Sequence, residues 1–270
     1  MIDFAAGKLK VRIYENRKEL GAAAAKMAAA SINNILQKKE IVNIVFAAAA
    51  SQNEFLASII KEDVDWRRIN AFHMDEYIGL EKNAPQHFSH WLKEKIFDKL
   101  PFKELFFLNG NAENIGEECL RYTTLLKKHP LDINFMGIGE NAHLAFNDPH
   151  VADFNDPYFV KVVDLDKACK QQQVNEDCFK DISEVPSYAL TLTIPALLQA
   201  EHIFCMVPGN LKAQAVYHTI MSDVSELYPS TVLRNHDDAY LFLEKESAAM
   251  LLAENDIQNL AITKPVNYGN

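Results

Sequence analysis

The feature that most limits what this chain can fold into is a repeated alternation of short, mainly apolar runs with longer amphipathic stretches. "KVRIYE", "IVNIVFA", "INAFHMDEY", "LFFLNG" and "INFMGIG" read as strands, and "YALTLTI", "HIFCMVP" and "AYLFLE" follow them later. Between them lie "NRKELGAAAAKMAAASINNILQKK", "QNEFLASIIKE", "PQHFSHWLKEKIFDKL", "NIGEECLRYTTLLKK" and "NLKAQAVYHTIM", which carry the helical spacing of apolar residues. The first is further favoured by its alanines. Strands that are mostly apolar without strict alternation are buried on both faces, as the strands of a parallel sheet covered by helices must be. The pattern predicts an α/β fold: a single Rossmann-like three-layer α/β/α domain with a mainly parallel sheet, spanning residues 1–270. No Ser/Gly-rich or Pro-rich linker and no repeat of fixed period divides the chain. The polar segment from about 147 to 187, with "NDPHVADFNDP" and "KQQQVNEDCF", is expected to be irregular, either as part of a site or lid or as a surface excursion.

Composition narrows the partners. With 49% hydrophobic residues in 270 there is ample material for a core, and a net charge of −10 without a basic cluster argues against nucleic acid or an anionic membrane surface. An anionic ligand would have to be captured by local groups. The N-terminal "MIDFAAGKLK" lacks the long apolar segment of a secretory signal, and no run approaches the roughly 20 apolar residues that span a bilayer. A soluble, cytoplasmic protein is expected. Cys119, Cys169, Cys178 and Cys205 form no CxxC pair and are expected as free thiols.

In open parallel sheets ligands bind beyond the carboxyl ends of the strands, where loops from several strands converge. Four unusual stretches fall there: "AAAASQN", "HMDEY", "GENAHLAFND" and "GNLK". In the third, Gly137 and Gly139 permit a sharp turn or a close approach, His143 exchanges protons near neutral pH, and Asp148 and Asn141 could orient the imidazole. A His and an Asp on one loop also form ordinary hydrogen-bonded pairs, so the loop alone does not decide. In "HMDEY", Asp75 and Glu76 point to opposite sides of a continuing strand, so at most one faces a site. A carboxylate in a partly dry crevice has a raised pKa and can take a proton from carbon next to a carbonyl; a plain acidic strand end fits the same residues. The run Ala47 to Ala50 allows close approach, and N–H groups at a helix start bind phosphate. Tight packing is the simpler account of that run. Lys212 could add a positive charge. His87 and His90, three apart, have no evident third ligand and read as surface or structural residues, so no metal is expected.

Taken together these residues resemble the glucosamine-6-phosphate deaminase (isomerase) family. "MDEYIGL" at 74–80 and "GIGENAHLAFNDP" at 137–149 carry the resemblance, supported by "VPSYALTLTI" and "GNLKAQAV", over about residues 10 to 250. It implies a Rossmann-like fold and conversion of an amino-sugar 6-phosphate to a ketose 6-phosphate and ammonia without metal or organic cofactor. Family members range from monomers to hexamers, so a homo-oligomer is compatible with it. By position, Asp75 matches the general base that moves a proton between C2 and C1. His143 matches the ring-opening histidine, Asn141 and Asp148 match its polar partners, and Lys212 matches the phosphate-binding lysine.

The departures fall on the phosphate end. The family loop resembles A-T-G-S-T-P, whereas this chain has "AAAASQ" at 47–52: a hydroxyl is lost at Ala48 and a glycine at Ala49, while Ser51 keeps an alcohol. Ala142 replaces the glycine before the histidine. The family's phosphate-binding arginine has no counterpart in "CKQQQVNEDCF", where Lys170 or Gln172 is expected to serve, together with N–H groups of Ala49, Ala50, Ser51 and Gln52. Two other readings stay open. One is a 6-phosphogluconolactonase, whose histidine loop resembles G-x-x-G-H-T-A-S-L-F-P, a poorer match to "AHLAFNDP". The other is a sugar-phosphate sensor without turnover.

Overall fold

The computed structural model describes residues 1–253; residues 254–270, included in the expected domain, lie outside the described residues. Its frame is an eight-stranded sheet. Strands β1 (Ile2–Ala6) and β2 (Leu9–Tyr14) form an antiparallel hairpin at one edge. All the other pairings in this sheet are parallel: β3 (Val42–Phe46), β4 (Ile69–His73), β6 (Glu104–Phe106), β7 (Ile133–Met136), β10 (His202–Val207) and β11 (Ala239–Glu244) complete it. The order across the sheet is β1-β2-β11-β10-β7-β3-β4-β6. Every residue of β3, β4 and β7 is buried, which is why these runs are mostly apolar rather than alternating, with Asn43, Asn70, His73 and Asn134 as their buried polar members. Among the described residues, no helix is long and apolar enough to cross a membrane.

Helix α1 (Arg17–Leu36) begins at Asn16, whose side chain accepts from the Glu19 N–H at 3.0 Å. Its buried stripe of Ala24, Ala25, Ala28 and Ala29 lets neighbouring backbone come close. Glu54 of α2 (Asn53–Ile59) packs so tightly on Gly21 that a Cβ there would lie 2.6 Å from it. Helix α4 (Ile115–Lys128), capped by Asn114, places the Tyr122 hydroxyl against the end of β4, where it donates to the His73 carbonyl at 2.9 Å and accepts from the His73 N–H at 3.1 Å.

That contact accompanies the main difference from expectation. "INAFHMDEY" is not one strand: β4 ends at His73, and β5 (Asp75–Tyr77) leaves the large sheet. It joins β9 (Tyr188–Leu192) and β8 (Val160–Asp164) in a separate three-stranded antiparallel sheet, with Asp75 opposite Thr191. The "YALTLTI" run therefore lies in this small sheet and not in the parallel one. The segment 147–187 is also more regular than expected, since it contains β8 and helix α5 (Lys167–Asn175). The expected helix over "PQHFSHWLKEKIFDKL" is shorter, α3 (Phe88–Leu92) followed by a π-turn over Lys93–Phe97. All four cysteines are free thiols.

His73 is fully buried and accepts the Leu108 N–H on Nε2 at 2.8 Å, and burial pushes its pKa down to about 4. The unfolded chain takes up this proton near pH 6.5 while the folded chain refuses it, so the stability contribution is complete above about 6.5 and is lost as pH falls towards 4. Urea unfolding of wild type should lose about 1 kcal/mol more between pH 7.5 and 5.5 than unfolding of His73→Gln, by the linkage relation. Equal losses in both proteins would mean that another group dominates.

Candidate active site

The carboxyl ends of β3, β4, β7 and β10 open on one cavity of about 380 Å³. Ala49, Ala50 and Ser51 line it after β3, Asp75 after β4, His143 after β7 and Lys212 after β10, with Gln172 entering from α5.

Asp75 is 8% exposed, and its pKa is raised well above the usual carboxylate range by burial and then by the charge of Glu76. The pleat sends the two side chains apart. Glu76 turns inward, where its Oε1 accepts the N–H groups of Tyr77 (3.0 Å) and Phe88 (3.1 Å) and its Oε2 that of Ser89 (3.1 Å). The His87 Nδ1 lies 3.3 Å from Glu76 Oε1, while its Nε2 is 3.0 Å from the Glu81 carbonyl. An imidazole facing two acceptors is best satisfied as imidazolium, and the bond to Glu76 raises the His87 pKa. Burial alone would raise Glu76, but His87, His73 and the N–H groups hold it below its ordinary value. Adjacent carboxyl groups with pKa values pushed apart are the arrangement that divides acid–base labour. Glu76→Gln should therefore shift the acid limb of the kcat/KM profile to lower pH, because Asp75 loses the charge that resists its ionisation. An unmoved limb would show that Glu76 does not act through Asp75.

The His143 ring is built on a glycine. An added Cβ at Gly139 would lie 2.2 Å from its Cε1, and the Gly139 N–H donates to the His143 carbonyl at 3.0 Å, tying the two ends of the turn together. The His143 Nδ1 is 2.9 Å from Asp148 Oδ1, an ion-pair contact without hydrogen-bond alignment, and that oxygen accepts from Asn141 Nδ2 at 2.8 Å. Asp148 is fully buried. Burial would raise it, yet the His143 ring and the Asn141 bond hold its pKa below the usual value. The carboxylate thus faces Nδ1 of the ring and leaves Nε2 for a ligand. Cys169 approaches the pair within 4.8 Å; burial pushes its thiol pKa up, so it stands there as a neutral group. Asn147 straps the loop to β9 by donating to the Leu192 carbonyl at 2.8 Å.

The loop substitutions differ in cost. Ala49 has φ −155°, an extended conformation open to any residue, so glycine is not needed there. Ala142 has φ 66°, a left-handed conformation that costs a non-glycine residue roughly 1–2 kcal/mol. Of the expected phosphate groups, Gln52 does not line the cavity: its Nε2 donates to the carbonyls of Met136 (3.3 Å) and Met206 (3.4 Å), bracing β7 against β10. Lys170 is also elsewhere, donating to Ser187 Oγ at 3.3 Å, because it sits on the outer side of α5. Gln172 does face the cavity. His90 donates its Nδ1–H to the Ala84 carbonyl (3.0 Å), and His87 is taken by Glu76, so this pair is structural. The Glu76–His87 contact and Glu176, which lines the cavity beside Lys212, carry no local sequence signal.

Fold and cavity together define an α/β protein that gathers Asp75 and His143, two side chains capable of acid–base chemistry, at the carboxyl edge of a mainly parallel sheet. The family model described as glucosamine-6-phosphate isomerases/6-phosphogluconolactonase matches residues 15–242. The chain belongs to this family. It is 33% identical over 229 residues to a glucosamine-6-phosphate deaminase of Listeria monocytogenes, covering 85% of this chain and 96% of the relative. A glucosamine-6-phosphate deaminase of Bacillus cereus is 29% identical, over 90% of this chain and 89% of the relative. A monomeric glucosamine-6-phosphate deaminase superposes with a TM-score of 0.81 at 28% identity, over 89% of this chain and 99% of its own. A 6-phosphogluconolactonase from Thermotoga maritima shares the fold, with a TM-score of 0.71 at 16% identity over 87% of this chain and 99% of its own.

Proposed function

We propose that this protein is an amino-sugar phosphate deaminase that converts glucosamine 6-phosphate and water to fructose 6-phosphate and ammonia, with the described chain acting as one catalytic domain. The observation that carries the reading is the pairing, in one cavity, of a buried high-pKa carboxyl group, Asp75, with an imidazole that faces a carboxylate, His143. His143 moves the proton between the anomeric hydroxyl and the ring oxygen, which opens the ring to an aldehyde, and Asn141 and Asp148 hold it for that step. Asp75, ionised, then takes the proton from C2 and returns it to C1. The enolamine formed between these transfers leaves a C2 iminium, which water attacks before ammonia departs. Ser51, the N–H groups of Ala49 and Ala50, Gln172 and Lys212 face the phosphate end. None of these steps calls on a metal or an organic cofactor.

A phosphorylated substrate does not cross membranes, which supports a cytoplasmic site of action. The deciding experiment is ammonia release from glucosamine 6-phosphate by the purified protein. Release supports the deaminase; hydrolysis of 6-phosphogluconolactone with no ammonia from the amino sugar would overturn it. Sedimentation of the same sample reports whether the chain works as a monomer or a homo-oligomer.

A further inference from the structure

The phosphate end of the cavity is already occupied by a charge of the protein's own. Among the described residues that line the cavity, Lys212 is the one Lys or Arg, and it stands with three carboxyl groups, Asp75, Glu176 and Asp177. The Lys212 Nζ lies 3.3 Å from Glu176 Oε1, and both side chains are largely buried, 7% and 14% exposed. Glu176 is not free to swing away. Its Oε1 also accepts from Gln172 Nε2 at 2.8 Å, and the Gln172 Oε1 in turn accepts the Glu140 N–H at 2.8 Å, so a chain of bonds ties the carboxylate to the loop after β7. Asn175 reinforces the tie through Glu140 Oε2 at 3.3 Å.

We infer that Glu176 is a specificity-determining residue: a built-in counter-anion that a phosphoryl group must displace from Lys212 in order to bind. The inference rests on the deaminase reading of the same cavity. A phosphate monoester carries about −1.5 to −2 charges at pH 7. To reach Lys212 it has to break the Lys212–Glu176 pair and then tolerate the displaced carboxylate nearby, where like charges repel across a poorly hydrated space. The neighbouring loop brings no second cation to offset this: Ala48 and Ala49 have no side-chain donor, and beside the backbone N–H groups only the Ser51 hydroxyl, whose oxygen accepts from Gln52 Nε2 at 3.0 Å, keeps a proton to donate. Glu176 therefore lowers affinity for the phosphoryl group and makes its capture depend on a shift of the α5 end.

The test is the dissociation constant of inorganic phosphate, measured by calorimetry for wild type, Glu176→Gln, Lys212→Met and the double variant. Glutamine keeps the size of the side chain and an oxygen for the Gln172 bond, and Glu176→Ala serves as a second variant. Glu176→Gln should bind phosphate about tenfold more tightly than wild type, equivalent to about 1.4 kcal/mol. In the Lys212→Met background the gain should shrink below about twofold, because the two residues act as a pair. Unchanged or weaker binding by both Glu176 variants would overturn the inference, as would a full tenfold gain that persists without Lys212. The readout is separate from turnover: tighter phosphate in a protein that releases no ammonia would sink the deaminase reading alone. Active deaminase with no gain in phosphate binding would sink this one alone.

Discussion

Asp75→Asn is expected to lower kcat for ammonia release by about 10³–10⁴, the upper part of the range for a general base acting on carbon. The amide is the same size and reaches the same place on β5, but it cannot accept a proton. Burial and the neighbouring Glu76 hold Asp75 well above the usual carboxylate range, which makes it a stronger base once ionised. The same shift places the acid limb of the wild-type kcat/KM profile above that of an ordinary carboxylate: activity rises with pH as Asp75 loses its proton. The variant's residual activity should lack that limb. Exchange of the C2 hydrogen with deuterated solvent should vanish with it, and phosphate binding should persist. A variant that keeps more than about a tenth of wild-type kcat would remove Asp75 from the base role.

Gly139→Ala should be the most damaging change at a residue without functional groups. The new methyl carbon would lie 2.2–2.4 Å from three atoms of the His143 ring, well inside the separation at which carbon atoms meet favourably, about 3.5–4.0 Å. The backbone cannot open to admit it, because the Gly139 N–H is bonded to the His143 carbonyl, and the ring is held from its other side by Asp148. The imidazole must leave its position. We expect kcat/KM to fall by about 10²–10³, comparable with loss of a positioned acid–base group, while far-ultraviolet circular dichroism stays near that of wild type. Full activity would show that His143 does not work from its place on Gly139.

These two residues illustrate what could be read locally. Asp75 and His143 lie just beyond the ends of apolar strand runs, the first on β5 and the second in a loop, and the rule that ligands gather at the carboxyl ends of parallel strands brings their stretches together with Ser51 and Lys212, as the cavity does. The opposite facing of Asp75 and Glu76 follows from the pleat of a single strand. Lys170 and Gln172, by contrast, are two positions apart on one helix, and only their placement on α5 separates an outward lysine from an inward glutamine. Gln52 shows the same limit: it sits next to the lining residue Ser51, yet it is spent on the carbonyls of two strands far away in the chain.

By itself, then, the sequence determined the layered α/β architecture, the helices that begin at Asn16 and Asn114, and which residues are candidates for acid–base chemistry. Those properties are written in local periodicity, in side chains that bond within a few residues, and in which residue types can move protons. Only the tertiary structure decided that the strand through "INAFHMDEY" breaks after His73, that Glu76 is held ionised by His87, and that Glu176 meets Lys212. Each of these depends on partners brought together by packing. Tyr122 reaches the end of β4 from 49 residues away, and Glu176 and Lys212 are 36 residues apart. A charged side chain in a polar stretch looks the same in sequence whether it faces water or its counter-ion, because burial and distance, which set its energy, belong to the fold.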